Sequence, residues 1–218
     1  MLQIKSFEFS PIQENTYILY NEFNECIIID PGCYFEEEKE SLADFIAGMA
    51  LKPVLLLNTH CHLDHVFGNK FVAEKYALTL QIHEGEKKVL DFAPASGLMY
   101  NMPFDNYAGN FIFLNEGDKI TMGTDELQVL LTPGHSPASL SFYCEKDAFV
   151  ISGDVLFKQS IGRTDLPGGN FDMLIKSIKT QLFVLPNETK VYSGHGPVTS
   201  IGQEKLENPY VQQGKQGT

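Results

Sequence analysis

The sequence predicts a mixed α/β domain in which two sheets are covered by helices. Short β-type runs recur along the whole chain, and segments of helical length separate them. Groups able to bind a metal follow the ends of four of the runs. At 218 residues and 43% hydrophobic content, the chain suffices for one sizeable core and is short for two full domains. The expectation is a single domain over residues 1–210 and a frayed tail over 211–218.

The elements follow in order, each run judged by its β-branched, aliphatic and aromatic content. Leu2–Phe9 and Thr16–Tyr20 open the chain as strands, and Glu25–Asp30 carries three consecutive isoleucines. Glu36–Met49 is the first helix. Val54–Asn58 is a strand, Val66–Tyr76 a helix, Leu78–Ile82 a strand and Glu84–Phe92 a helix. Residues 92–113 read as an aromatic-rich loop containing Phe92, Leu98, Met99, Tyr100, Met102, Phe104, Tyr107 and Phe111. That loop lines a pocket, makes a dimer contact or forms a satellite core cluster. Strands are expected at Phe111–Leu114, Leu127–Thr132, Leu140–Cys144, Ala148–Ser152 and Lys190–Ser193, and a last helix at Phe171–Thr180.

The net charge of −12 argues against bulk attraction to nucleic acid or to anionic membranes, and against diffuse steering of anionic substrates. No apolar leader region opens the chain, and no aliphatic run approaches a membrane span. Cys26, Cys33, Cys61 and Cys144 are scattered without framework spacing, which predicts free thiols and a cytoplasmic location.

Five of the six histidines fall into one metal-binding pattern. Thr59-His60-Cys61-His62-Leu63-Asp64-His65 concentrates ligand types, and His135, Asp154 and His195 each follow a glycine. One zinc-like ion needs about three protein ligands and an open position. Seven N/O donors, His60, His62, Asp64, His65, His135, Asp154 and His195, therefore suit two ions sharing one carboxylate. Cys61 lies within the motif, but in extended backbone its side chain points away from those of its histidine neighbours, and it reads as a small buried filler. His83 follows a strand and precedes a helix, where a structural or capping role is expected. Asp30 in Ile-Ile-Asp-Pro-Gly reads first as a turn residue.

This residue set resembles the metallo-β-lactamase-fold hydrolase superfamily, and the resemblance runs along nearly the whole chain. Gly153-Asp154-Val155-Leu156-Phe157 with Ser160-Ile161-Gly162-Arg163-Thr164-Asp165-Leu166-Pro167-Gly168-Gly169 is similar to the small glyoxalase II-like branch. The resemblance implies a four-layer αββα sandwich. It also implies that His60, His62 and His135 hold a first ion, that Asp64, His65 and His195 hold a second, and that Asp154 bridges them. Asp30 would support the metal loops from behind. The ions would be zinc, with iron or manganese also accepted by such donors. A hydroxide bridging them would attack a small acyl thioester, with Asp64 orienting the nucleophile and relaying its proton.

The antibiotic-hydrolysing members are taken to carry Cys or Ser where this chain has Asp154, which turns the expectation away from lactams. Arg163 and Lys158 are the candidate substrate-binding residues. Arg163 either grips a substrate carboxylate or pairs with Asp165 or Asp172. Larger glyoxalase II enzymes add a helical domain that grips glutathione; only 23 residues follow His195 here, so weak glutathione specificity is expected. The alternative is a persulfide dioxygenase with one iron on His60, His135 and Asp154. The partner in either case is a small molecule.

Overall fold

Ile27, Ile28 and Ile29 show how the layers arise. Successive strand side chains point to opposite faces, so Ile27 and Ile29 enter one apolar cluster while Cys26 and Ile28 enter another. The same division separates Leu130 from Val129, and Val150 from Phe149 and Ile151, in the second half of the chain.

The computed structural model describes residues 1–212. Its first half runs β1 (Gln3–Phe9), β2 (Glu14–Tyr20), β3 (Glu25–Ile29), α1 (Glu36–Gly48), β4 (Lys52–Leu57), α2 (Leu63–Val66), α3 (Asn69–Tyr76), β5 (Leu80–Ile82), α4 (Lys87–Met99) and β6 (Phe111–Phe113). Then come β7 (Lys119–Met122), β8 (Asp125–Leu131), β9 (Leu140–Cys144), β10 (Phe149–Gly153), a small hairpin of β11 (Leu156–Phe157) and β12 (Ser160–Ile161), and α5 (Phe171–Ser177). The described chain closes with β13 (Lys190–Ser193), β14 (Thr199–Ser200), α6 (Ile201–Glu207) and α7 (Pro209–Gln212).

β1 to β6 form one six-stranded sheet in chain order. Its first three strands are an antiparallel meander, and β3 to β6 are parallel. The second six-stranded sheet has the order β14-β13-β10-β9-β8-β7, with β10 and β13 its parallel pair. Leu19, Leu57, Val129 and Phe142 fill the space between the sheets. Ile18, Ile28 and Leu56 pack outward against Leu42 of α1, Val72 of α3 and Leu90 of α4. Val150 and Val191 pack outward against Leu174 of α5, Ile201 of α6 and Val211 of α7. The order of layers is helix, sheet, sheet, helix, as expected.

Several elements depart from the sequence reading. The helix expected at 66–76 is two helices, α2 and α3, beginning at Leu63. The helix expected to end at Phe92 starts with a tight turn over Glu84–Glu86 and continues to Met99 despite Pro94. Proline removes a helical N–H; the side chain of Asn106 donates to the Leu90 carbonyl at 2.7 Å in its place. The supposed 92–113 loop is thus helical over its first third. Met102, Phe104, Tyr107 and Phe111 pack against the outer cluster of the first sheet, as a satellite of the core, while Leu98, Met99 and Tyr100 are exposed. α5 ends in a wide turn closed by the Phe183 N–H on the Ile178 carbonyl. β7, β11, β12, β14, α6 and α7 were not anticipated. Val211 is buried in α7; the remainder of the expected tail, 213–218, lies outside the described residues. No described helix is long and apolar enough to cross a membrane.

Candidate metal centre

His60, His135, Asp154 and His195 sit just beyond strands, while Asp64 and His65 lie in the short helix α2. β4 ends at Leu57 and leads through Asn58 and Thr59 to His60. His62 caps the start of α2, whose first turn carries Asp64 and His65. β8 leads to His135, β10 to Asp154 and β13 to His195. The two sheets present these ends to one another and are tied there. Asn15 N–H donates to Gly194 O at 2.7 Å, and Leu140 N–H donates to Thr59 O at 2.7 Å.

The donor atoms converge into groups whose members lie within 4.8 Å of one another: His60, His62 and His135 in one, Asp64, His65 and His195 in another. His135 Nε2 is 2.9 Å from His62 Nδ1 and 3.2 Å from His60 Nε2. Hydrogen bonding sets the tautomers. A carbonyl only accepts, so His135 Nδ1 donates to Arg163 O at 2.8 Å and its Nε2 is left with a lone pair. The Thr59 hydroxyl donates to Asp30 Oδ2 and so accepts from His60 Nδ1, leaving His60 Nε2 a lone pair also. Two imidazole lone pairs facing each other at 3.2 Å repel unless a cation lies between them. In the other group, His65 Nδ1 meets Asp30 Oδ2 at 3.1 Å, and its buried Nε2 has no hydrogen-bond partner among the described residues although Asp64 Oδ2 and Asp154 Oδ1 lie 3.8 and 3.4 Å away. His195 Nε2 is 3.1 Å from Asp64 Oδ2 and likewise forms no hydrogen bond. Native structures rarely leave buried polar atoms unpaired without a reason. Divalent cations fit this donor set: unpaired nitrogens and carboxylates aimed at common points.

The charge states of His60 and His62 support the same fit. Burial, then the neighbouring imidazoles, push His60 well below the usual histidine range, and burial with His135 beside it pushes His62 down to about 3. Both are neutral, the form that ligates metal. Burial also disfavours charge on His65 and His195, but the carboxylates of Asp154 and Asp64 outweigh it and raise both, His195 to about 9. Burial would raise Asp64 and Asp154; the same histidines win and hold both carboxyls down.

Behind the donors stands a layer of buried carboxylates. Asp30, in a left-handed conformation at φ 49°, receives Thr59 N–H at 2.7 Å and Asn58 Nδ2 at 3.1 Å on Oδ1, with Thr59 Oγ1 and His65 on Oδ2. Glu14 and Glu86 are two further buried carboxylates that sequence reasoning missed. Glu14 accepts from Thr16 Oγ1 and lies 3.9 Å from His65 Nδ1. Glu86 accepts from Cys61 N–H, Ser136 Oγ and Ala138 N–H, joining the loops that carry His60, His62 and His135. Nothing in the local sequence distinguishes either from a surface glutamate. Glycine before Asp154 has φ 52°, and a Cβ on Gly194 would run into Asp154 Oδ1 and His65 Cε1. These two glycines let the backbone come within reach of the donors.

The remaining sequence candidates fall around this centre. Cys61 is fully buried in the outer cluster of the first sheet and belongs to neither donor group, its backbone bonded to Glu86. His83 caps the Glu84–Glu86 turn, accepting from Gly85 N–H at 3.0 Å. The guanidinium of Arg163 is paired bidentately with Asp165 at 2.7 and 2.8 Å, both side chains exposed. Lys158 is exposed in the turn between β11 and β12, next to Phe157, whose ring centre lies 6.2 Å from that of His195.

Residues 10–195 match the metallo-β-lactamase superfamily domain. The chain belongs to the metallo-β-lactamase superfamily. Its similarity to the probable metallo-hydrolase YqgX of Bacillus subtilis is 40% identity over 92% of this chain and 93% of that one. Hydroxyacylglutathione hydrolase GloC of Haemophilus influenzae is 31% identical, over 96% of this chain and 98% of its own. Among solved structures, the BLEG-1 B3 metallo-β-lactamase superposes with a TM-score of 0.88 at 39% identity, over 96% of this chain and 99% of that one. TTHA1623 in a di-iron-bound form gives 0.84 at 34% identity, over 94% and 99%. As a superfamily member with these His/Asp clusters, the chain is a metal-dependent hydrolase that takes divalent ions.

Proposed function

We propose that the chain is a dinuclear hydrolase of small acyl thioesters acting in the cytoplasm. The observation that carries the dinuclear reading is the reach of the Asp154 carboxylate. Its Oδ1 lies 3.0 Å from His195 Nδ1 and 3.4 Å from His65 Nε2, while its Oδ2 lies 3.5 Å from His135 Nε2. One carboxylate thus faces both donor groups. In this reading His60, His62 and His135 would hold one ion, Asp64, His65 and His195 the other, and Asp154 would be within reach of both. Zinc is the first candidate; iron and manganese suit the same donors, and the likeness to a di-iron-bound structure keeps iron in view. The likeness to a hydroxyacylglutathione hydrolase supports the thioester, and four buried free thiols suit a reducing compartment.

When bound, the ions supply a water activated near neutral pH and polarise the carbonyl under attack. The chain's own groups do the rest. Asp64 would orient the attacking water and relay its proton to the leaving sulfur. Arg163 O holds the His135 ring in its ligating tautomer. The exposed Arg163 fork can exchange Asp165 for a substrate carboxylate, because solvent screens the existing pair.

The test is a panel on metal-loaded protein: S-lactoylglutathione and simpler acyl thioesters with free thiol measured, glutathione persulfide with oxygen uptake measured, and a β-lactam. Thioester turnover without oxygen uptake, lost in Asp154→Ala, supports the reading. Oxygen uptake with persulfide and no thioester turnover would transfer the site to the mononuclear iron alternative on His60, His135 and Asp154. Turnover of the lactam alone would make it an amide hydrolase, as the likeness to BLEG-1 allows.

A further inference from the structure

A cavity of about 280 Å³ opens beside His62 between α4 and the segment after β12. Its walls are Val89, Phe92, Pro137, Leu166 and Pro167, and its floor is formed by Cys61 and Ala93, 0% and 2% exposed. Among the described residues the only charged side chain lining it is Lys88, which is exposed and forms no ion pair with any of them. Neither Arg163 nor Lys158 lines this cavity.

We propose that this cavity is the acyl pocket and that it selects thioesters with an apolar acyl arm of several carbons, resting on the thioesterase reading above. Three features argue for it. Position comes first: His62, a member of the first donor group, is part of the cavity wall, so the arm of a carbonyl held at the metal centre enters directly. Size comes second. At about 280 Å³ the cavity has room for an acyl arm of several carbons. The third is chemistry. The walls reward burial of methylenes, and Lys88 at the mouth supplies a local cation, on a chain of net charge −12, for an acyl arm that ends in a carboxylate.

The experiment measures kcat/KM on the metal-loaded enzyme with straight-chain acyl thioesters from acetyl to octanoyl on one small thiol. A reverse series holds the acyl group constant and lengthens an alkyl thiol. The expected result is a rise of about fourfold per methylene of the acyl arm, equivalent to about 0.8 kcal/mol, until the cavity is full, and a flat thiol series. Phe92→Ala should collapse the hexanoyl-to-acetyl ratio, a readout independent of the fraction of enzyme that is folded. Lys88→Met should lower the preference for a glutaryl over a pentanoyl arm. Thioester turnover with a flat acyl series, or with the slope in the thiol series instead, would overturn the acyl pocket and leave the thioesterase reading standing. No turnover of any thioester would overturn both.

Discussion

The Glu86 carboxylate accepts the Cys61 N–H at 3.0 Å, so a residue just before α4 holds the strand of backbone between two candidate ligands, His60 and His62. The same carboxylate takes Ser136 Oγ at 2.7 Å and Ala138 N–H at 2.8 Å, immediately beyond His135. One buried side chain therefore sets the spacing of the first donor group.

Glu86→Ala is expected to lose metal from that group and to destabilise the apo-protein. It leaves two buried backbone N–H groups without acceptors, each costing about 1–3 kcal/mol. Urea unfolding of the apo-protein and elemental analysis check the two effects separately. Glu86→Gln, which keeps an accepting oxygen, should lie between the variant and the wild type in both.

Asp154→Ala is expected to lower the metal content from about two ions per chain to less than one, since the Asp154 carboxylate faces both donor groups. His195→Ala, in contrast, should leave close to one ion, held by His60, His62 and His135. Two ions retained in the Asp154 variant would contradict the bridging assignment.

Gly194→Ala should fold and yet fail to assemble the centre. The added Cβ collides with Asp154 Oδ1 and His65 Cε1, and displacement of ligands by about 1 Å costs on the order of a hundredfold in rate. Activity at matched metal concentration, with circular dichroism as the control for folding, distinguishes this from general damage.

The Arg163 fork holds the Asp165 carboxyl down to about 2, from an ordinary value of 3.8. A carboxyl depressed in the folded state stabilises above its unfolded value and loses that contribution as pH falls through the folded one. The pair therefore contributes above about pH 4 and is gone near pH 2. In Arg163→Ala the Asp165 titration, followed by carboxyl NMR, should return toward 3.8. In the wild type an anionic substrate that captures Arg163 should move it the same way. KM for anionic substrates should rise in the variant, and metal content should not change.

The residues whose donor atoms converge were legible because histidines and aspartates after strand ends form a pattern even before the chain folds. Glu14 and Glu86 were not, because their roles arise only where distant loops meet. α6 carried a usable signal: Ser200 followed by Gln203 is a capping pair, and Ser200 Oγ accepts the Gln203 N–H at 3.2 Å. Gly202 within it obscured the helix. Pro94 misled for the opposite reason: it marks a break by itself, and the compensating donor, Asn106, lies twelve residues on. The two-residue strands β11, β12 and β14 are too short to show a period. The Arg163 ambiguity narrowed to one partner, Asp165, because that carboxylate lies two residues away and meets the fork bidentately.

His60, His62, Asp64 and His65 come from the first sheet's half of the chain, and His135, Asp154 and His195 from the second. Neither half carries a complete set, so metal loading reports that the two halves have docked. Ions held by these residues would tie the seam with a strength that follows free metal concentration, because a ligand bound only by the native form stabilises it by mass action. Loss of metal would remove this tie and leave the apolar layer of Leu19, Leu57, Val129 and Phe142 to hold the two sheets together.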